Sequence, residues 1–141
     1  MKEFFDTSVL IAAFWRGHPD HVLSLKRISA ASPKKSFCSL HTLAEVYATM
    51  TTLPVREVIP PEQAVLFVQE VRDRCTIVSL DEEEYYGTIV QAAERGFTSG
   101  RIYDALLVRC AEKVKADVIY TWNLKHFRAI DPKLADRIQT P

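Results

Sequence analysis

Short apolar runs alternate with longer amphipathic stretches along the whole chain. Short apolar runs bounded by polar residues are typical of buried strands, whereas apolar residues recurring three and four positions apart are typical of helices. This pattern predicts strands over 3–6, 36–39, 76–80 and 117–120, with a short fifth strand over 138–140. It predicts helices over 8–15, 18–31, 40–53, 59–74, 81–96 and 102–115. Strands that alternate with helices predict an α/β fold whose small sheet of four to five strands is mainly parallel.

Length and composition indicate a single compact domain over residues 1–141. A chain of 141 residues has the usual size of one domain, and 48% apolar residues are enough to fill a continuous core. No apolar stretch of the sequence approaches the ~20 residues that a membrane-spanning helix needs. The amino terminus also lacks a basic leader followed by an apolar run. We therefore expect a soluble, cytoplasmic protein with no membrane partner.

The three cysteines, Cys38, Cys75 and Cys110, lie in apolar surroundings. Their spacings match no zinc-binding or redox motif, and an odd number argues against a disulfide framework. We expect all three to be buried, reduced thiols that pack as small apolar side chains.

The formal net charge is zero, from 18 basic and 18 acidic side chains. Nucleic-acid-binding proteins are more often basic, so this balance counts mildly against such a partner. It does not exclude one, because acidic residues gathered in a metal site can offset basic residues elsewhere. The candidates for a basic rim are Arg101, Arg109, Lys113, Lys115, Lys125 and Arg128.

The first predicted strand ends on Asp6, and the polar pair Thr7-Ser8 leads directly into an apolar helix. In parallel sheets the chemistry gathers at the carboxyl ends of strands, which is where Asp6 falls. An aspartate before a helix is also typical of an N-cap, and both interpretations stay open from this segment alone. The acidic run 81–84 is different, because Asp81 followed three residues later by Glu84 matches a capping box. We interpret that run as structural.

Asp104 lies at the edge of the apolar face of its predicted helix, within about 60° of Leu107, Val108 and Ala111. An unpaired buried carboxylate costs several kcal/mol, and the helix dipole returns only about 0.3–1 kcal/mol. A cleft or a bound cation would explain this position more economically.

Glu45 lies about 160–200° from the centre of the apolar stripe of its helix. The stripe consists of Leu40, Leu43, Val46, Tyr47 and Met50. Periodicity alone therefore predicts that Glu45 is solvated, although small residues beside it leave room for a shallow groove. Thr121 and Asn123 follow the fourth predicted strand, so they bring oxygen atoms to the same sheet edge as Asp6. The alternative for Asn123 is a turn with local hydrogen bonds.

With these carboxylates in this order, the chain resembles PIN domains, and more narrowly the small VapC-type ribonuclease toxins of bacterial and archaeal toxin–antitoxin pairs. The resemblance covers essentially the full length. It is carried by FFDTSVLIAAF, the glutamate of HTLAEVYA, the aspartate of RIYDALLVRCA, and IYTWNLKHF. Each segment is short, but their order, spacing and total length together are fairly specific.

The resemblance implies a three-layer sandwich in which helices flank the sheet, and a metal-dependent endoribonuclease that hydrolyses RNA phosphodiester bonds. It implies that Asp6, Glu45 and Asp104 are catalytic and bind Mg²⁺ or Mn²⁺. Asn123 falls at or beside the place where many members have a fourth acid, so it is a candidate catalytic residue that contributes no charge. That departure puts a second tightly held metal in doubt. The resemblance also implies that Ser8 and Thr121 support the site. As a separate expectation of our own, Arg101 contacts the RNA backbone.

The resemblance also implies an RNA substrate, a cognate antitoxin protein and a homodimer. One alternative is a PIN-like domain that binds RNA or protein without catalysis. Another is a phosphatase with an aspartyl nucleophile, although that class generally has a second aspartate two residues on, where Ser8 stands here. A dinucleotide-binding module is disfavoured, because no glycine-rich turn follows the first strand.

Overall fold

The computed structural model describes residues 1–56 and 58–141 and contains one five-stranded sheet. The strands are β1 (Glu3–Phe5), β2 (Ser36–Ser39), β3 (Thr76–Val78), β4 (Val118–Tyr120) and β5 (Ile138–Gln139). Their order is β3-β2-β1-β4-β5, and every neighbouring pair is parallel. In this register Phe4 stands beside Phe37 on one side and Ile119 on the other. The predicted parallel sheet is confirmed.

The described part of the chain also forms seven α-helices and one 3₁₀ helix. The helices are α1 (Thr7–Phe14), α2 (His21–Ser29), α3 (Leu40–Met50), α4 (Pro61–Arg74), α5 (Glu82–Glu94), α6 (Arg101–Lys113) and α7 (Leu124–Ile130), and the 3₁₀ helix is Pro132–Arg137. The six predicted helices correspond to α1–α6, with ends shifted by three residues or fewer.

Two local differences from prediction have physical causes. α3 ends at Met50 and not at residue 53, and the Thr51 and Thr52 hydroxyls donate hydrogen bonds to the Ala48 carbonyl at its end, both at 3.0 Å. α7 was not predicted, because it buries only Phe127 and Ile130, and two apolar residues three apart do not distinguish a helix from a turn.

The sheet separates two apolar cores, because side chains alternate between its faces. Phe5 and Tyr120 pack with α1, α2, α3 and α4, whereas Phe4 and Ile119 pack with α6 and α7. α5 packs against α6 on the second side. Phe4 and Phe5 are both fully buried, and each such side chain contributes about 1.5–3 kcal/mol of transfer free energy. The predicted three-layer sandwich is confirmed.

All three cysteines are buried free thiols, as predicted. Burial raises the pKa of the Cys110 thiol to about 11, so this residue stays protonated at neutral pH.

Within residues 1–56 and 58–141, none of the helices combines the length and the apolar character needed to cross a membrane.

The strand order leaves a crevice at one edge of the sheet. The chain leaves β1 towards β2 and β3, and later returns to the other side of β1 as β4. Connections therefore diverge between β1 and β4, and ligands of parallel sheets bind at such switch points, beyond the carboxyl ends of the strands. Asp6 follows β1 and Thr121 follows β4, so both lie at this crevice.

Candidate active site

Asp6 stands at the N-cap position of α1 but does not cap it. Its backbone is extended, with φ −72° and ψ 153°, and its side chain makes no capping hydrogen bond. Instead Oδ2 accepts hydrogen bonds from Ser8 Oγ at 2.7 Å and from Thr121 Oγ1 at 2.8 Å. The Asp6 carboxylate is therefore held chiefly by two hydroxyls, and the N–H groups of Thr7 and Ser8 at the start of α1 also lower its pKa.

Those two hydroxyls accept hydrogen bonds from the backbone of the loop that follows β4. The Trp122 N–H donates to Ser8 Oγ at 3.0 Å, and the Asn123 N–H donates to Thr121 Oγ1 at 2.9 Å. Each hydroxyl thus accepts from the backbone and donates to Asp6. Burial raises the pKa of the Asp6 carboxyl, whereas these hydroxyl donors lower it. The network fixes one carboxylate oxygen with little freedom.

Glu45 projects from α3 towards the same crevice. Its Oε1 lies 3.1 Å from Thr7 Oγ1, which donates to it, and 3.9 Å from His41 Nε2. The side chain is 40% exposed. Burial raises the pKa of this carboxyl, and the charge of Asp6 adds to the rise. Glu45 therefore lies close enough to Asp6 to be affected by its charge, and its side chain is partly exposed, so the expectation of a solvated residue holds in part.

Periodicity alone did not reveal the contacts of Glu45, because the buried face of α3 is partly polar. Leu40 and Tyr47, two members of the predicted stripe, are 54% and 39% exposed, whereas Thr42 is fully buried. Ser39 caps α3 by accepting the Thr42 N–H at 3.2 Å, and the Thr42 hydroxyl lies 3.1 Å from Thr7 Oγ1. Glu45 follows Thr42 by three residues, so it shares the face that this network holds against α1.

Asp104 is half-buried in the first turn of α6. In the ranges 1–56 and 58–141 its carboxylate has no side-chain hydrogen-bond partner. Its pKa is raised to about 6, chiefly by burial and then by the charges of Asp6 and Glu45, while His126 and Arg101 oppose the rise. Three carboxylates from three separate elements thus repel one another at one edge of the sheet. The apolar surroundings of Asp104 in the sequence predicted either a cleft or a bound cation beside it. This crevice is the cleft.

Asn123 and Arg101 lie at the margins of the site. Asn123 is exposed at the N-cap position of α7, and its side chain makes no capping hydrogen bond. Arg101 is exposed one turn before Asp104, with its guanidinium 4.0 Å from the centroid of the Phe97 ring. Both side chains are therefore available to a ligand.

The model of the PIN domain family matches residues 4–132. The chain belongs to the PIN domain family. A comparison with curated protein sequences found no significant match.

Solved structures of VapC proteins share the fold of this PIN domain. VapC20 of Mycobacterium tuberculosis, a toxin that cleaves the sarcin-ricin loop, superposes with a TM-score of 0.73 at 18% identity, covering 91% of this chain and 95% of that chain. VapBC2 of Rickettsia felis, bound to a DNA fragment from its promoter, gives 0.65 at 19% identity, with 99% and 98% covered. VapBC-1 of nontypeable Haemophilus influenzae gives 0.63 at 20% identity, with 99% and 98% covered.

The donor set of this PIN domain suits a hard divalent cation. Among the residues that the structure describes, no three Asp, Glu, His or Cys side chains are arranged to hold a metal directly. Mg²⁺ commonly keeps several waters and binds through only one or two carboxylates, so carboxylates with intervening waters are an appropriate set. Both hydroxyl donors to Asp6 bind Oδ2, which leaves Oδ1 without a side-chain partner among those residues.

Sequence reasoning missed three residues of this PIN domain's site. Thr7 and Thr42 position Glu45, and His126 lies close enough to Asp104 to influence its pKa. Thr42 had a usable signal, because it lies three residues before Glu45 on the same helix face. His126 had none, since α7 was not predicted.

Proposed function

We propose that this PIN domain is a metal-dependent endoribonuclease that hydrolyses RNA phosphodiester bonds, and that it is the toxin of a toxin–antitoxin pair. The observation that carries the proposal is that Asp6 follows β1 beside Thr121, and that its charge reaches both other acids: it raises the pKa of Glu45 and, together with Glu45, the pKa of Asp104. Mutually repelling carboxylates attract a cation, and a phosphodiester substrate requires one to approach them. The VapC structures that share the fold, one of them of an RNA-loop-cleaving toxin, support the same conclusion.

Asp6, Glu45 and Asp104 would hold Mg²⁺ or Mn²⁺, directly or through water. When bound, the ion would neutralise phosphate charge and lower the pKa of water. Ser8 and Thr121 would keep Oδ2 of Asp6 in place by donating hydrogen bonds to it. Thr7 performs the corresponding task for Glu45.

Asn123 would place a water molecule or the phosphate by hydrogen bonding. Its amide carries both donors and an acceptor, and its side chain is exposed at the edge of the crevice. It adds no negative charge, so the site has three carboxylates for its cations. We expect one tightly held ion.

An antitoxin protein and a second copy of the chain are the proposed partners. Two of the similar structures are of VapBC pairs, which supports the antitoxin.

The decisive experiment incubates the purified protein with total RNA, with Mn²⁺ or with EDTA, beside an Asp6→Asn variant. We expect cleavage only by the wild-type protein with Mn²⁺. Cleavage in both protein samples would indicate a contaminating nuclease, and intact RNA in every sample would contradict the proposal.

A non-catalytic PIN-like domain that binds RNA or protein is the second candidate. The neutral Asn123 at or beside the place of a fourth acid favours it. Isothermal titration calorimetry separates the two candidates, since the nuclease should bind Mn²⁺ and the non-catalytic binding domain should not.

A further inference from the structure

An open groove of about 790 Å³ begins beside Asp104 and runs between the start of α6 and α7. It is lined by Thr98, Ser99, Gly100, Arg101, Asp104, Lys125, His126 and Ala129. Gly100 and Ala129 are small, and a Cβ at Gly100 would meet no atom within 4 Å, so this part of the groove is open. The groove therefore brings open surface directly beside the Asp104 carboxylate.

The two permanent cations of this groove are not held in ion pairs within the described part of the chain. Among the described residues, Arg101 and Lys125 form neither a salt bridge nor a side-chain hydrogen bond, and both are exposed. Arg109 and Lys113, which the sequence offered as equal candidates for a basic rim, both pair with Glu84. The positive charge available to a ligand on this side of the site therefore lies in the groove.

Arg101 is positioned without a salt bridge, although its charge acts on the nearby Asp104 carboxyl. Its guanidinium lies 4.0 Å from the centroid of the Phe97 ring, which favours one orientation through a cation–π contact and leaves the charge free to act on a ligand. The N–H groups of Arg101, Ile102 and Tyr103 already bond the carbonyls of residues 98–100. The attraction for an anion therefore comes from the side chains and not from the amides at the start of α6.

His126 also lines the groove. It is exposed on the first turn of α7, and it lies near enough to Asp104 to affect that carboxyl. Lys125 precedes it, so α7 contributes two neighbouring nitrogen donors to one wall. The groove thus brings two cationic side chains and an imidazole to the side of the Asp104 carboxylate.

We propose that this groove holds the RNA backbone on one side of the scissile phosphate, with Arg101 and Lys125 contacting phosphates and His126 donating a hydrogen bond to the phosphate nearest Asp104. The inference rests on the proposed nuclease function and adds to it the path of the substrate. A positively charged groove that follows the backbone is how proteins bind single strands without reading their bases. In a protein of zero net charge, such local cations are what brings a polyanion to an acidic site.

The test measures RNA binding and cleavage by a double variant, Arg101→Ala with Lys125→Ala. Binding is measured by fluorescence anisotropy with a labelled single-stranded RNA of about 12 nucleotides, in an Asp6→Asn background that prevents cleavage. The matched control is Lys34→Ala with Lys35→Ala, which removes two exposed lysines just before β2. They lie at the amino ends of the parallel strands, whereas the site lies beyond the carboxyl ends. Thermal melts confirm that both double variants are folded.

We expect the groove variant to raise Kd about tenfold at low salt and to reduce the slope of log Kd against log salt by about 1.4, or ~0.7 for each lost phosphate contact. The lysine control should retain the wild-type Kd and slope. With Asp6 intact, the groove variant and His126→Ala should each raise KM while kcat changes little, because the lost contacts stabilise substrate and transition state alike.

The outcomes separate this inference from the nuclease proposal. Metal-dependent cleavage by the wild type, with KM, Kd and salt slope unchanged in the groove variant, would overturn the groove while the nuclease stands. Equal losses in the groove variant and the lysine control would also overturn it, since they would show a diffuse charge effect. A wild-type protein that neither binds nor cleaves RNA would overturn both.

Discussion

Glu84 and Asp104 occupy similar local positions, yet their charges have opposite fates. Each lies in the first turn of a helix, where the dipole favours a carboxylate. Glu84 contacts Lys113 at 2.6 Å and Arg109 at 3.3 Å, and its pKa is lowered, chiefly by the hydrogen bond from Lys113. The pKa of Asp104 is raised to about 6 by burial and by Asp6. The helix start does not decide the role of an acid, because tertiary partners outweigh the dipole.

The acidic run at α5 is thus structural, as predicted. Asp81 accepts the Glu84 N–H at 2.8 Å, and Glu84 Oε1 accepts the Asp81 N–H at 3.0 Å, which completes the capping box. Acids that are paired and capped stabilise the fold, whereas the unpaired acids at the crevice leave their charge available for a cation.

The largest expected difference between Asp104 and Glu84 is in the rate of RNA cleavage. Asp104→Asn should lower the rate of metal-dependent RNA cleavage by more than about 100-fold, since even outer partners of metal ligands are worth about 10- to 100-fold. Glu84→Gln is the matched control, and its cleavage rate should stay near that of the wild type. Equal rates for Asp104→Asn and the wild type, measured on one labelled RNA, would contradict the assignment.

Metal binding should distinguish the two acids next. Mn²⁺ at 100 times its Kd should stabilise the folded protein by about 2.7 kcal/mol, which raises Tm by several degrees. Differential scanning fluorimetry should show this rise in Glu84→Gln and a much smaller rise in Asp104→Asn. An unchanged Tm in the wild-type protein would argue against a resident cation.

The pH dependence of stability without metal is a smaller effect. A carboxyl whose pKa is raised in the folded state binds its proton more tightly there, so protonation favours folding. Asp104 should therefore contribute an increase in unfolding free energy as pH falls from about 6 towards 3.8, and Asp6 and Glu45 act in the same direction. Glu84 acts oppositely, since its lowered pKa means that stability is lost as pH falls below its ordinary value of 4.5.

Urea denaturation in EDTA at several pH values measures this effect. Asp104→Asn should flatten the rise below pH 6 and should be more stable than the wild type at neutral pH, because it removes one repelling charge. Superimposable pH profiles for the two proteins would show that Asp104 is not under electrostatic strain.

The smallest effect concerns the cap. Asp81→Ala should destabilise the protein by about 1 kcal/mol through the loss of the side-chain bond to the Glu84 N–H. The cleavage rate should not change, since the capping box lies outside the crevice. A loss of activity in a folded Asp81→Ala protein would mean that the two acidic groups are coupled.

Asp6 and Asp104 could be selected from sequence for reasons that are local. Asp6 ends a buried strand, and the carboxyl end of a parallel strand is where loops and ligands meet. Asp104 interrupts an apolar helix face, and a carboxylate in that position demands compensation. Both arguments need only the residue pattern of one element, so they can be made without knowing which other elements pack against it.

Glu45 shows where such reasoning stops. Its helix carries apolar residues that suggested one buried face, but the polar contacts of Thr7, Ser39 and Thr42 turn another face inward. A helical pattern cannot reveal that a threonine is buried, because burial of its hydroxyl depends on partners from other elements. Only the resemblance to PIN domains, and not the residues alone, pointed to Glu45.

By itself the sequence determined the order of the strands and of α1–α6, the parallel sheet, and Asp104 as a carboxylate that needs compensation, since these follow from hydrophobic period within single segments. It placed Asp6 at a strand end and left its role open. The tertiary structure decided which cations are paired, which way Glu45 faces, and that α7 brings Lys125 and His126 beside Asp104. Those outcomes are set by contacts between residues far apart in the chain, and the energy of a charge depends on its neighbours in space and not on its place in the sequence.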